Sequence, residues 1–345
     1  MAGVVPQLKI GAKLGNGSFG EVFLGDHSIH GQVAVKVISR QASHTDADWD
    51  KFKANALAEA RKLAKATHPN VVKVYDIEEA TDDQSIRFCM AYCPGGSLQS
   101  QFELGPMLLL GARDVATEVL LGLEALHGRQ MLHRDIKPGN ILLDASGAAL
   151  ISDFGLVTDD LVLGYGSAAG YADHVAYEMW SSGLSSVKTD IWALGMTLYR
   201  LVHGKEWYDE GPPPHTLVRK GKFSETLRWL SHVPKSWRRL IKKMMNDDPS
   251  LRHASANKVS NALAELETPA WRTAVSPKLI RWDREKANRR QIVEWTRLSD
   301  REHQWRAWSE PLTGTGITRT LGESGGVVTK KVALKGLDTF FAKNS

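Results

Sequence analysis

The chain has 345 residues, 42% apolar and 24% charged, a balance suited to one large or two modest globular domains. Its two cysteines, Cys89 and Cys93, are too few for a disulfide framework or a zinc site and point to a reducing, cytoplasmic setting. The formal charge of +5 is unevenly placed: Pro269 to Ser345 holds 15 Lys+Arg against 8 Asp+Glu, the rest 29 against 31.

Met1 to Ile10 has no long apolar run behind a basic start, so no signal peptide is expected. The most apolar helical stretch, Met107 to Leu126, is broken by Arg113, Asp114, Glu118 and Glu124, so no membrane insertion is expected. Five of the eleven tryptophans follow Pro269. Together with the charge shift they set a boundary near Glu267-Thr268-Pro269, dividing a first domain over 8–267 from an appendage over 268–345.

Leu8 to Val22 begins with alternating apolar residues and runs into Gly15-Asn16-Gly17-Ser18-Phe19-Gly20. Glycines there let backbone N–H groups approach phosphate oxygens. A dinucleotide fold would need a helix directly afterwards. Instead Val22-Phe23-Leu24 and Val33 to Ile38 read as a hairpin, so the glycines cap strands. Lys36 stands in the second of these strands between valines, where an ammonium needs partners. Trp49 to Ala66 has helical periodicity and carries Glu59; His68-Pro69-Asn70 ends it. Arg87 to Tyr92 is a strand, broken by Cys93-Pro94-Gly95-Gly96. Met107 to His127 is an amphipathic helix with Val115, Val119, Leu123 and Leu126 on one stripe.

The next stretch is the densest in chemistry: His133-Arg134-Asp135-Ile136-Lys137-Pro138-Gly139-Asn140, then Asp153-Phe154-Gly155. Ile141 to Leu143 and Ala148 to Ile151 read as short strands joined by a turn at Ser146-Gly147. That hairpin brings Asn140 and Asp153 to one end, where an amide oxygen and a carboxylate can share a hard divalent cation. Asp135 beside them is a carboxylate able to accept a hydroxyl proton. Phosphoryl transfer asks for this equipment, because it depends on positioning and charge neutralisation. His133 reads as a packed, structural histidine.

Leu156 to Val175 is a loop rich in Gly, Ala and Asp. Lys188 to Gly195 starts an apolar helix in which Asp190 is placed to cap amide groups. Trp237 to Met245 and Ala254 to Leu266 are further helices. In the appendage, Gln291 to Leu298, Gln304 to Trp308, Ile317 to Leu321 and Val327 to Leu334 look like short strands punctuated by glycines. Its tryptophans suit a packed β unit; interleaved with arginines, they would otherwise stack on single-stranded nucleic acid.

The run H-R-D-x-K-P-x-N followed by D-F-G resembles the protein kinase family, serine/threonine type, and matching motifs occur in family order from about Leu8 to Leu266. The resemblance implies an α+β, two-lobed fold: a β-rich N-terminal lobe, a helical C-terminal lobe, and here a small, β-containing C-terminal appendage. It implies ATP with Mg²⁺, or Mn²⁺ in its place. Gly15, Asn16, Gly17, Ser18 and Gly20 would cover the phosphates, and Val22, Ala34, Met90, Tyr92 and Leu142 would surround the nucleotide. Lys36, positioned by Glu59, would contact phosphate. Asn140 and Asp153 would hold the metal, Asp135 would orient the acceptor hydroxyl and take its proton, and Lys137 would steady the γ-phosphate.

Where relatives carry G-T-x-x-Y-x-A-P-E, this chain has Tyr171 for the threonine, His174 for the tyrosine and Tyr177 for the proline. Glu178 and Arg252 match the family's ion pair. Thr158 and Ser167 are expected autophosphorylation sites, with Tyr165 and Tyr171 marking dual specificity. The implied partner is a protein substrate; the basic appendage suits an acidic protein or a nucleic acid and is expected to serve targeting or regulation rather than chemistry. The competing reading is a pseudokinase or kinase-fold signalling module acting through that appendage.

Overall fold

The first part of the chain is built from five strands and one helix. The structure, a computed structural model, describes residues 7–17, 20–64, 67–79, 84–153, 173–221 and 223–344, without the side chains of 17 and 59–64. These fall into two compact units: Met1–Ser97 with Glu118–Ser167, and Leu98–Thr117 with Ala168–Ser345.

The first unit is built on β1 (Leu8–Gly17), β2 (Gly20–His27), β3 (Gly31–Ser39), β4 (Val74–Glu79) and β5 (Ser85–Ala91), an antiparallel sheet in the order β1-β2-β3-β5-β4. The central strand β3 is covered on both faces. Val33 and Val35 pack with Cys89. Ile38, Ile86 and Phe88 pack with Trp49 and Ala56 of α1 (Asp46–Ala64). Cys89 and Cys93 are free, and burial pushes both thiols up to about 11, so neither is a nucleophile at neutral pH.

β6 (Ile141–Leu143) and β7 (Ala149–Ile151) form the expected hairpin. Its turn is set by Asp144, whose carboxylate accepts from Ser146 N, Ser146 Oγ and Ala148 N, and by Gly147 at φ +85°. The segment after His68-Pro69-Asn70 zips along β7, with Ile151 N donating to Asn70 O and Val72 N to Ile151 O. Gly122 of α3 (Leu109–His127) fits against it because an added Cβ would lie 2.7 Å from Asn70 O.

The second unit holds α2 (Leu98–Leu104), α4 (Tyr177–Ser182), α5 (Val187–Asp209), α6 (Pro214–Val218), α7 (Lys235–Met244) and α8 (Ala256–Ala264). A strand-rich first part followed by helices is the α+β arrangement the resemblance implies. The cap of α5 is Ser186 rather than Asp190: Ser186 Oγ accepts from Lys188 N, and Ser186 N donates to Thr189 Oγ1. Asp190 lies a turn inside and is fully buried. Within α5, Gly204 is left-handed at φ +69°, and an added Cβ there would lie 2.5 Å from Gly105 C.

The appendage belongs to this second unit. β8 (Arg272–Val275), β9 (Leu279–Lys286), β10 (Arg289–Arg297), β11 (His303–Pro311) and β12 (Arg319–Glu323) form an antiparallel meander, followed by α9 (Lys330–Lys343). Three of the four expected strands correspond to β10, β11 and β12. The fourth, Val327 to Leu334, is corrected: only Val328 bridges to a strand residue, His303, and a helix begins at Lys330. Ala333, Leu337, Phe340 and Phe341 recur at helical spacing and are the buried residues of that helix. β8 and β9 were not foreseen, although Ile280, Trp282 and Arg284 of β9 alternate inward.

Trp271, Trp282 and Trp295 are at most 1% exposed and Trp305 8%, so the appendage offers no aromatic stacking platform from these residues. Trp271, Trp282 and Trp305 pack under α9 against Phe340 and Phe341, and α9 lies close because a Cβ at Gly336 would meet Trp305 Nε1 at 2.7 Å; Trp295 packs against Trp207 and His303. Trp282 Nε1 donates to His232 Nδ1 at 3.0 Å, and Thr273 Oγ1 lies 3.3 Å from His232 Nε2. Arg238 pairs with Asp338 at 3.0 Å, Arg297 with Glu210 at 2.6 Å. Appendage and helical region therefore share a core within the unit. Among the described residues, no helix is long and apolar enough to cross a membrane.

Candidate active site

The chemistry-bearing residues of the first unit lie on the segment before β6, on β3 and at Asp153, two residues after β7. His133 is fully buried and holds the segment's shape. Its Nδ1 accepts from Asp135 N at 3.2 Å, so its Nε2 carries the proton donated to Ser152 O at 3.0 Å. Ser152 in turn donates from N and Oγ to Asn140 O. Ser152 was not singled out beforehand; its position directly before D-F-G was the available signal. Arg134 and Asp153 both take left-handed backbone, at φ +68° and +57°, the kind of local strain that clusters at functional sites.

Asp135, Lys137 and Asn140 are respectively 7%, 8% and 4% exposed and interact directly. Lys137 Nζ donates to Asp135 Oδ2 at 2.7 Å, and Asn140 Nδ2 donates to the same oxygen at 2.7 Å and to Asp135 O at 2.9 Å. The asparagine nitrogen is thus engaged, leaving its carbonyl oxygen as the atom able to ligate a cation. Burial pushes the Asp135 carboxyl above the ordinary carboxylate value, while Lys137, His133 and Asn140 oppose the rise.

Lys36, fully buried in β3, reaches Asp153 Oδ1 at 2.7 Å across 117 positions of sequence. A buried ammonium requires such a counter-charge. The expected partner Glu59 lies on α1, and its side chain is outside the described residues. The hinge-like segment is pinned to β6: Gly95 N donates to Leu143 O, Leu143 N to Gly96 O, and Ser97 bridges Leu142. Met90 sits opposite Ala34 in the ladder, and Met90 and Leu142 pack against Val72, Cys93 and Leu150. Tyr92 and Val22 are half-buried.

The glycine-rich stretch is the end of the β1–β2 hairpin, with Gly15 opposite Val22, Asn16 opposite Glu21 and Gly17 opposite Gly20. Its glycines differ in kind. Gly20 is required by packing, since a Cβ would meet Val37 O at 2.2 Å. Gly15 has nothing within 4 Å of an added Cβ, which leaves room for a close-lying ligand. Ser18, Phe154, Gly155, Thr158, Tyr165, Ser167 and Tyr171 lie outside the described residues.

In the second unit, Arg252 grips Glu178 through two bonds, Nη1 to Oε1 at 2.6 Å and Nη2 to Oε2 at 2.8 Å. The segment that departs from the family pattern has partners of its own. Asp173 accepts from Tyr208 OH at 3.0 Å, and His174 Nε2 lies 2.7 Å from Arg200 Nη1.

Residues 8–263 match the protein kinase domain family. The chain is similar to the serine/threonine-protein kinase PrkC of Bacillus subtilis, 29% identical over 251 residues, covering 70% of this chain and 38% of that relative. It is 30% identical over 257 residues to the SNF1-related protein kinase catalytic subunit alpha KIN12 of Arabidopsis thaliana, covering 73% and 50%. It is 32% identical over 201 residues to the hormonally up-regulated neu tumor-associated kinase homolog A of Xenopus laevis, covering 56% and 28%. The chain thus spans half or less of the length of these relatives.

Proposed function

This chain belongs to the protein kinase domain family, and from that premise we propose that it transfers the γ-phosphate of ATP to a serine or threonine hydroxyl of a protein. The observation that carries the reading is the Asp135–Lys137–Asn140 cluster with its two 2.7 Å contacts on one carboxylate oxygen, next to the Lys36–Asp153 pair. Asp135, whose Oδ2 receives both Lys137 and Asn140, would accept the substrate hydroxyl proton. Lys137, within reach of that carboxylate, steadies the transferring phosphoryl group.

Asn140 and Asp153 suit a hard cation, since an amide oxygen and a carboxylate are both hard oxygen donors. A divalent ion bound there, Mg²⁺ or Mn²⁺, would neutralise phosphate charge. Lys36 is placed to exchange part of its contact with Asp153 for a phosphate oxygen. Gly15 leaves space for phosphates; Val22, Ala34, Met90, Tyr92 and Leu142 would line the base site. Glu59, Asn16, Gly17, Ser18 and Gly20 complete the proposed site. In this reading residues 8–267 form the catalytic domain, 268–345 a separate region of sequence, and the protein acts in the cytoplasm.

The test is transfer of radiolabelled γ-phosphate to a generic basic protein by the purified chain, with acceptor sites mapped by mass spectrometry. Wild type should label serine or threonine. Asp135→Asn should lose activity by at least about 10²-fold while staying folded, because a positioned base contributes about 10²–10⁴. Equal labelling by Asp135→Asn, or no transfer by wild type, would reject the reading in favour of a non-catalytic signalling module.

A further inference from the structure

Ser152 connects the two residues proposed to hold the cation. It directly precedes Asp153 in the chain, and it is bonded to Asn140. Ser152, Asn140 and His133 are all buried. Every polar atom of Ser152 has a partner. Its N donates to Asn140 O at 2.9 Å, its Oγ donates to the same oxygen at 3.0 Å, and its O accepts from His133 Nε2 at 3.0 Å.

These bonds differ in what they require of the sequence. Ile141 pairs with Ile151 at the end of the β6–β7 hairpin. The bond from Ser152 N to Asn140 O continues that ladder, and any residue but proline would make it. The bond from Oγ requires a hydroxyl at this position. A carbonyl oxygen has two lone pairs, and here the hydroxyl takes the second. One hydrogen bond lets the Asn140 peptide plane tilt about it; two from different directions hold it.

Each end of this link leads to a proposed metal ligand. The amide nitrogen of Asn140 is committed to Asp135, at 2.7 Å from Oδ2 and 2.9 Å from O. The placing of its amide oxygen therefore depends on how the backbone of residue 140 is held. Asp153 is left-handed at φ +57°, a conformation that persists only where the surroundings over-determine it. The peptide just before it is the clamped one: His133 holds its oxygen, and Asn140 holds the N and Oγ of the residue that carries it.

We infer that Ser152 is a positioning residue for the divalent cation: its hydroxyl fixes the amide oxygen of Asn140 relative to the carboxylate of Asp153, so that both can ligate one ion. The inference rests on the kinase reading, in which those two residues hold Mg²⁺ or Mn²⁺. The rival role for the hydroxyl is packing alone, a buried donor finding an acceptor. The two roles differ in what its removal costs. Ser152→Ala leaves Asn140 O with its backbone donor and strands no polar atom, so the fold should survive. Removing a group that orients metal ligands typically weakens metal binding by about 10–100-fold. Removing one that only packs should not single out the metal.

The experiment compares the full chain with its Ser152→Ala variant, far-UV circular dichroism verifying that both are folded. Mn²⁺ is titrated in the presence of β,γ-imido-ATP, and the free ion is followed by electron paramagnetic resonance. Binding of the fluorescent nucleotide mant-ADP in EDTA reports the nucleotide site without metal. Ser152→Ala should weaken Mn²⁺ binding about tenfold or more and leave metal-free mant-ADP binding unchanged. Equal Mn²⁺ affinity in the two proteins overturns the inference, as does a matching loss of mant-ADP affinity, which would mean that the whole site has loosened. Neither measurement needs phosphate transfer. Wild type that binds mant-ADP but no Mn²⁺ would reject the cation assignment of Asn140 and Asp153, and the inference with it. A failure confined to the comparison with Ser152→Ala leaves the kinase reading standing.

Discussion

Replacing Trp282 with alanine is expected to unfold much of the second unit, because that side chain belongs to the core shared by appendage and helices. Trp282 is fully buried, and its indole N–H donates to His232 Nδ1 at 3.0 Å. Emptying a buried tryptophan site costs about 3–5 kcal/mol. Leaving the His232 acceptor unpaired in the interior adds about 1–3 kcal/mol. The combined loss approaches the ~5–15 kcal/mol that holds a typical domain together. Trp282→Phe keeps most of the apolar bulk and isolates the hydrogen bond, so it should cost only the smaller part. Urea unfolding of the three proteins, followed by far-UV circular dichroism, measures the order. Truncation after Thr268 is the extreme case: it also removes Thr273 from His232 and Asp338 from Arg238, and should give an aggregating, inactive protein. A soluble truncated chain with an unchanged unfolding midpoint would refute this reasoning and make the appendage a separable targeting element.

Lys137→Ala should move the acid limb of kcat/KM to higher pH. In the proposed mechanism the ionised Asp135 is the active form; burial raises its pKa, and Lys137 is the largest influence opposing that rise, so a limb that stays put or moves down would exclude Asp135 as the base. Burial pushes His203 and His232 down to about 3. The unfolded chain therefore binds more protons than the folded one from about pH 6.5 downward, and stability should fall as pH drops toward 3, by up to ~1.4 kcal/mol per pH unit per histidine. Urea midpoints at several pH values check this, and a His203→Phe variant should show a shallower slope. Gly204→Ala should destabilise by about 1–3 kcal/mol from its left-handed backbone alone, with more from the backbone of Gly105, 2.5 Å from an added Cβ; an unchanged thermal midpoint would contradict that conformation.

The residues nearest the proposed chemistry were legible because they are neighbours in sequence. His133 to Asp153 is a short span in which two strand-like runs and a turn signal can only close as a hairpin, so Asn140 and Asp153 had to share one end. The glycines before Val22 were likewise readable, because hairpin or helix follows from the next few residues. The resemblance named Glu59 for Lys36, but nothing in the sequence pointed to Asp153 as well. A buried ammonium demanded a counter-charge, but Asp153 reaches it only after the sheet has formed. Nor could it separate Ser186 from Asp190 as the cap of α5, since both residue types suit that position. Val327 to Leu334 is apolar enough for either strand or helix, and the decision came from packing: Ala333, Leu337, Phe340 and Phe341 needed the tryptophan-lined face of the meander to be buried. The excess of positive charge and tryptophan after Pro269 was plain in the composition. Which of those groups face solvent is set by contacts spanning tens of residues, and these turned four of the five tryptophans inward and left the lysines of α9 outside.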